Sequence, residues 1–398
     1  MNRRDLIKNT LLAATGATLL SGCKNNDSLS TSSTDSEELT ITPKQTDTYK
    51  FSVPMLFNYD FIDEMAELNN TYKKSKVVTL YNSLPWPLSK EYKGWFMLYR
   101  DSSNPNIKSF NDFKKYAQYS MDKGFNVCYL MNSPKPFNDD DIKTFKNDFF
   151  KLLDDLYNSG IKTIKVANTQ VAQLINGHNP DFKLSMSTIL EYHNISQYKH
   201  FIDLFPNTTH IGVAKDENQN FLLLKNLRKT FPNIDIEMMM DEGCIKNCPS
   251  RYSCMSSSMS AKYKLGCGIT RQNRFTTFYK DGTIHPWQFG YYSAIGINNF
   301  KIVPTRSRFQ DTEMPYIKEY FDVAEYGFDS KYLNQLLRMG LGFINLPEFL
   351  SNETIAQLYP DIDHFIKYGH KCASSCGLTC NWCDIQAKKL EEFANQLT

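Results

Sequence analysis

The chain has 398 residues, with 45 Lys and Arg against 43 Asp and Glu, a formal charge of +2. Beyond the first 22 residues, which hold Arg3, Arg4, Lys8 and Asp5, the two signs balance at 42 each. That excludes a protein whose affinity rests on a broad polyanion-binding surface, and with no run of 18 apolar residues no helix is expected to cross a membrane by itself.

The chain opens with a secretory pattern: charged residues around Arg3-Arg4, an apolar stretch over 11–20, then Ser21-Gly22-Cys23. Adjacent arginines before a mild, Gly-containing apolar region point to twin-arginine export, the route for proteins that fold around a cofactor before crossing. Leu20-Ser21-Gly22-Cys23 resembles a bacterial lipobox, so Cys23 is the expected lipidation site and mature N-terminus. The expected location is the cell envelope, with the membrane held through the lipid alone. Residues 24–48 carry eleven Ser or Thr and no aromatic, the composition of a solvated, disordered tether running from Cys23 to residue 48.

From residue 49 the pattern changes. Short apolar or β-branched runs recur at 53–57, 77–81, 127–131, 161–167, 184–188, 211–214, 234–240 and 300–303. Helical spacings lie between them, at 61–72, 142–156, 201–204 and 221–227. Eight strand–helix repeats imply an α/β fold with a parallel sheet, closed as a (β/α)8 TIM-like barrel, complete or incomplete, over residues 49–345. An open doubly wound sheet is the alternative, although neither GxGxxG nor a Walker A loop occurs. Asn58, Asn82, Asn132, Asn168, Ser187 and Asp241 follow strand runs, as pocket residues or helix caps. Residues 346–398 are expected to form a helical, Cys-rich extension.

The ten cysteines carry most of the chemical information. Cys23 belongs to the signal, and Cys128 sits inside a strand run as a small buried apolar residue. Cys244, Cys248, Cys254 and Cys267 follow the seventh strand run directly, at the functional end of a barrel. Cys372, Cys376, Cys380 and Cys383 form a second group near the C-terminus. On one unbroken helix these four would make a stripe about 16 Å long, unable to surround one metal, so a break near Gly377 is expected. Alternatively, only some of them join the first group. Three chemistries fit the spacing: a [4Fe–4S] cluster, or two of them; zinc; or disulfides. Export in the folded state favours the cluster.

Other motifs are bland. No HExxH or GxSxG occurs. His285, before Pro286, is expected to be structural; His370 is a surface residue or a partner of a cluster sulfur. Met238-Met239-Met240 is strand core rather than a copper site. Arg251, Arg271, Arg306 and Arg308 lie near the cysteine motifs. Arg251 and Arg306 are the candidates for catalytic recognition of a substrate carboxylate, with a surface ion pair as the alternative.

The segment Met240-Asp241-Glu242-Gly243-Cys244-Ile245-Lys246-Asn247-Cys248-Pro249-Ser250-Arg251 resembles a signature, N-E-G-C-x-x-x-C-P-x-R, found in one branch of the collagenase-like U32 peptidase family. Ile284-His285-Pro286 and the stretch from Gly296 to Ile302 resemble later positions of the same branch. The resemblance implies a (β/α)8 barrel and similarity to oxygen-independent hydroxylases that hold a [4Fe–4S] cluster on four Cys and use prephenate as oxygen donor. It implies Cys244, Cys248 and Cys267 as ligands, with Cys254 or a tail cysteine as the fourth. Three positions depart from the branch: Cys254 stands where His is common, Asp241 replaces Asn, and Thr305 replaces Gly. The expected function is a redox or oxygen-independent hydroxylation enzyme acting on a small-molecule or lipid-like substrate, with an electron donor as partner. A U32-type peptidase and a non-enzymatic iron–sulfur or zinc module are the alternatives.

Overall fold

The computed structural model describes residues 39–44, 48–84, 106–240, 246–256, 280, 282–303, 313–327, 362–376 and 378–396. The signal segment with Cys23, and Cys244, Cys267 and Arg306, lie outside the described residues; the side chain of Cys254 does too.

Eight parallel strands close a barrel in sequence order. They are β1 (Tyr49–Pro54), β2 (Ser75–Asn82), β3 (Asn126–Met131), β4 (Thr163–Val166), β5 (Lys183–Met186), β6 (Thr208–Gly212), β7 (Asp235–Met239) and β8 (Asn299–Lys301). Closure is made by β1 on β8, through Lys50–Asn299 and Ser52–Lys301. The helices, in chain order, are α1 (Tyr59–Thr71), α2 (Phe110–Asp122), α3 (Asp139–Asn158), α4 (Thr169–His178), α5 (Ile195–Leu204), α6 (Phe221–Thr230), α7 (Arg251–Ser256), α8 (Phe289–Ala294) and α9 (Glu313–Tyr326). The tail adds α10 (Asp363–Tyr368), α11 (Cys372–Ser375) and α12 (Trp382–Gln396). Among the described residues no helix is long and apolar enough to cross a membrane.

The outward strand residues make the core. Phe51 meets Phe289, Phe300 and Phe321, and Tyr129 meets Phe113 edge-on. Helices α1 to α6 each start on a side-chain cap: Asn58, Ser109, Asn138, Asn168, Asn194 and Asn220. Each cap satisfies a backbone N–H that would otherwise lack a partner, worth about 1 kcal/mol. Capping therefore accounts for Asn58 and Asn168, and Ser187 likewise caps the short 3-10 turn after β5. Gly212, the last residue of β6, lies so close to β5 that a Cβ there would stand 2.5 Å from the Met186 carbonyl oxygen.

Part of the segment expected to be a tether, residues 39–44, lies against the barrel. Leu39 and Ile41 are half-buried against the core, and the Lys44 N–H donates to the Gly290 carbonyl at 2.9 Å. Two apolar residues spaced i, i+2 suffice to lay this stretch on the barrel.

Candidate functional site at the C-terminal mouth of the barrel

In a barrel of this kind function gathers where the strands end. After β6 the chain makes a buried turn, Lys215–Glu217, followed by buried Asn218 and Gln219. The Asn218 amide donates to the carbonyls of Met239 (2.6 Å) and Gly282 (2.9 Å), which fixes this loop to the end of β7. The amide of Asn220 donates to Glu217 Oε2 at 2.7 Å, while its carbonyl oxygen caps α6. The other oxygen of Glu217 stands 2.8 Å from Nδ1 of His193, just after the β5 turn. Glu217 is buried and His193 is about half exposed. The hydrogen bond with Glu217 raises the His193 pKa, outweighing burial. This is a carboxylate-oriented imidazole at the rim, a geometry suited to moving a proton.

Beside it, Arg251 is clamped. Nη1 donates to Glu191 at 2.9 Å and Nη2 to Asp216 at 2.7 Å, and the side chain is 7% exposed. Burial raises the Glu191 pKa against the pull of Arg251. The two carboxylates that Arg251 holds come from the protein, so its geometry is that of a tie between the β5 and β6 loops. From Arg251, α7 continues to Tyr252, whose hydroxyl donates to the Pro134 carbonyl beyond β3 at 3.1 Å. The helix thus links the β5 and β6 side of the mouth to the β3 side.

The described cysteines of the expected sites are free thiols. Cys248 precedes α7 and is half-buried. The tail quartet does not lie on one helix: Cys372 is on α11, the backbones of Cys376 and Cys380 form a β-bridge, and Cys383 is on α12. Burial raises the Cys372 pKa, with Cys376, Cys380 and Glu217 adding to it and Lys246 opposing. Cys383 is pushed up to about 12, by burial first and then by Cys372 and Cys376, against Lys246 and Lys280. The four thiols therefore share one neighbourhood. Lys246, between Cys244 and Cys248 in sequence, bonds Gln219 Oε1 at 3.3 Å. So both Cys-rich segments reach the same sector of the rim. Among the described residues no group of three or more His, Cys, Asp and Glu is placed to hold a metal ion.

The barrel interior is polar, which the strand patterns did not announce. Lys165 bonds Glu237, and Ser52 Oγ donates to the other Glu237 oxygen at 2.7 Å. Burial alone would raise the Glu237 pKa, but Lys165, Lys301 and these hydrogen bonds bring it down to about 2. The Lys301 ammonium lies 4.0 Å from the centre of the Tyr81 ring. Cys128 is buried beside them, its thiol pushed up to about 11 chiefly by burial. The cavity among these groups is about 10 Å³, roughly one water's need. It holds no room for an organic substrate. Residues with a bland expectation behave so: His285 is buried and stacked on Trp287 at 4.4 Å, with burial bringing its pKa down to about 3; His370 is exposed; and the three methionines are buried.

No protein-family model and no curated protein matches the chain in sequence. Solved structures match in fold. A U32 peptidase is 12% identical, over 66% of this chain and 95% of that one, at a TM-score of 0.40. N-acetylneuraminate lyase from Fusobacterium nucleatum is 13% identical, over 87% and 98%, at 0.36. A family 5 glycoside hydrolase from Prevotella bryantii B14 is 11% identical, over 72% and 99%, at 0.37. At these values the likeness is a distant one of barrel architecture, shared by a peptidase, a lyase and a glycosidase alike.

Proposed function

We propose that the protein is an exported, lipid-anchored barrel enzyme of U32-like type, whose Cys-rich rim binds a [4Fe–4S] cluster in a redox or oxygen-independent hydroxylation reaction on a small or lipid-like substrate. One observation carries this reading. Two Cys-rich segments more than a hundred residues apart approach one sector of the functional rim at Gln219, whose side chain bonds Lys246 and whose backbone packs against Gly369, three residues before Cys372. The described cysteines are free thiols, the donor type that a thiophilic metal takes, and the reading requires them to draw together on binding, since among the described residues no three are placed to hold an ion. Cys248, with Cys244 and Cys267, would hold the cluster, and Cys254 or a tail thiol would complete the set. A second cluster, or zinc, on Cys372, Cys376, Cys380 and Cys383 uses the same chemistry. When bound, a cluster supplies one-electron transfer. Of the chain's own residues, His193 would hold and move a proton at Nε2, oriented by Glu217, and Arg251 would keep the β5 and β6 loops together beneath α7.

A hydrolase is the second reading, favoured by the His193–Glu217 pair, which suits a general base. Anaerobic production followed by assay of iron, acid-labile sulfide and zinc tests the first. About four iron and four sulfide per chain support it; a metal-free chain with oxidised thiols overturns it. Peptide cleavage that survives loss of iron and disappears in His193→Ala would establish the second.

A further inference from the structure

Cys376 and Cys380 stand apart from the other two tail thiols. The chain between them turns back on itself: the backbone N–H groups of Leu378, Thr379 and Cys380 all donate to the Ser375 carbonyl, at 3.1, 3.1 and 3.0 Å. The last of these bonds belongs to a parallel β-bridge that seats Cys380 beside Cys376, between the end of α11 and the start of α12. Bridged neighbours in a ladder lie about 4.8 Å apart. A disulfide needs Cα atoms roughly 4.4–6.8 Å apart, so the backbone already meets that requirement. Both residues are free thiols, Cys376 exposed and Cys380 part-buried. Cys372 and Cys383 are free too, but burial raises the Cys372 pKa and pushes Cys383 up to about 12. Such groups stay protonated at neutral pH and are poor nucleophiles.

We infer that Cys376 and Cys380 are a redox pair that closes to an intramolecular disulfide when the chain meets a disulfide oxidant, while Cys372 and Cys383 stay reduced. The Cys376 thiolate, the more exposed of the two, attacks one sulfur of the oxidant, expels one thiolate and leaves a mixed disulfide. The Cys380 thiolate then attacks the Cys376 sulfur, closes the bond and expels the second thiolate. Two electrons pass to the oxidant, and the two protons lost by the cysteines go to its two thiolates. Export, as proposed above, would bring the pair to an oxidising compartment. The bond fastens the end of α11 to the approach of α12 and leaves the tail with two thiols instead of four. It makes any four-thiol tail site dependent on redox state and touches none of Cys244, Cys248 and Cys267.

The test treats the reduced full chain, freed of loosely held metal with a chelator, with oxidised glutathione, then alkylates the remaining thiols and digests without reduction. Trypsin releases residues 372–388, with all four tail cysteines, as one peptide. Mass spectrometry should find that peptide lighter by two hydrogens, with alkyl groups on Cys372 and Cys383 alone. Cys380→Ser should hold the mixed disulfide open, so that glutathione on Cys376 rises about tenfold or more over the parent chain. Four alkylated cysteines after oxidation, or a bond that joins Cys372 or Cys383, overturns the inference. So does a Cys380→Ser chain whose Cys376 carries no more glutathione than the parent. Iron and sulfide counted on the chain before oxidation bear on the cluster proposal alone, so the failure of one reading is told apart from the failure of the other.

Discussion

Lys165 and Glu237 inside the barrel and His193 and Glu217 at its C-terminal rim are both cation–carboxylate pairs, but their exposure differs. The interior pair is 5% exposed on each side, and Glu237 uses both oxygens within the protein. At the rim Glu217 is equally buried, at 8%, while the imidazole is 45% exposed. A closed pair holds strands together and leaves nothing to offer a ligand. A half-open pair keeps one nitrogen available to solvent or substrate. The tail thiols belong with the rim: all four are free, Cys372, Cys380 and Cys383 are partly buried, and Cys376 is exposed.

The largest effect should come from opening the interior pair. Glu237→Gln leaves Lys165 and Lys301 buried without their carboxylate, and about 3–5 kcal/mol of unfolding free energy should be lost, measured by urea denaturation. Replacing both partners, Lys165→Met with Glu237→Leu, should recover only part of it, because Lys165's desolvation cost goes while Lys301, which stays buried, still loses the Glu237 charge. Full loss in the double variant would mean that the pair does more than neutralise itself.

At the rim, Arg251→Ala separates the β5 and β6 loops and leaves Glu191 and Asp216 facing each other. A loss of about 2–3 kcal/mol is expected, smaller than inside the barrel because Glu191 is partly exposed. Arg251→Lys should restore little, since one ammonium cannot reach two carboxylates as a fork does.

Glu319 on α9 shows what the interior pair avoids. It is buried, neither oxygen has a hydrogen-bond partner among the described residues, and burial with nearby Asp322 pushes its pKa up to about 8. A carboxyl raised from 4.5 to about 8 contributes full stability below pH 4.5 and loses it as pH climbs through 8. Glu319→Gln should therefore raise stability at pH 8, by on the order of 1–2 kcal/mol, and change little at pH 4, as thermal melts at both pH values would show.

The smallest effect is at His193. Its raised pKa means that the pair with Glu217 stabilises the fold below the unfolded value of 6.5, and that this is lost as pH rises through the folded value. NMR titration should place His193 above 6.5 in the parent, and Glu217→Gln should bring it down. Stability should change by less than about 1 kcal/mol.

Much of the barrel was legible from residue 49 onward, because each strand presents an apolar face to a helix. Each of the eight apolar runs overlaps a strand, although the bounds shift: β1 starts at Tyr49 rather than 53, and β6 at Thr208 rather than 211. The offset has a physical cause: residues such as Lys50 and Ser52 point inward, and a polar interior hides a strand's beginning from any search for apolar runs. The same cause hid Lys165 and Glu237. The signal for Lys165 was the alternation Thr163-Ile164-Lys165-Val166, which puts polar residues on the inward face, unusual for a barrel lined with branched apolar residues. His193 and Glu217 could not be paired from sequence, because 24 residues and a whole strand–helix unit separate them. The Cys groups were visible by spacing alone, whereas their meeting at Gln219 depends on a tail that folds back across the rim.

The most direct measurement is X-ray absorption at the metal edge of the chain purified without oxygen. Thiolate ligation at the rim predicts a first shell of sulfur at about 2.3 Å, with an iron–iron scatterer if the group is a cluster. A first shell of nitrogen and oxygen, or a chain that retains no metal, would contradict it.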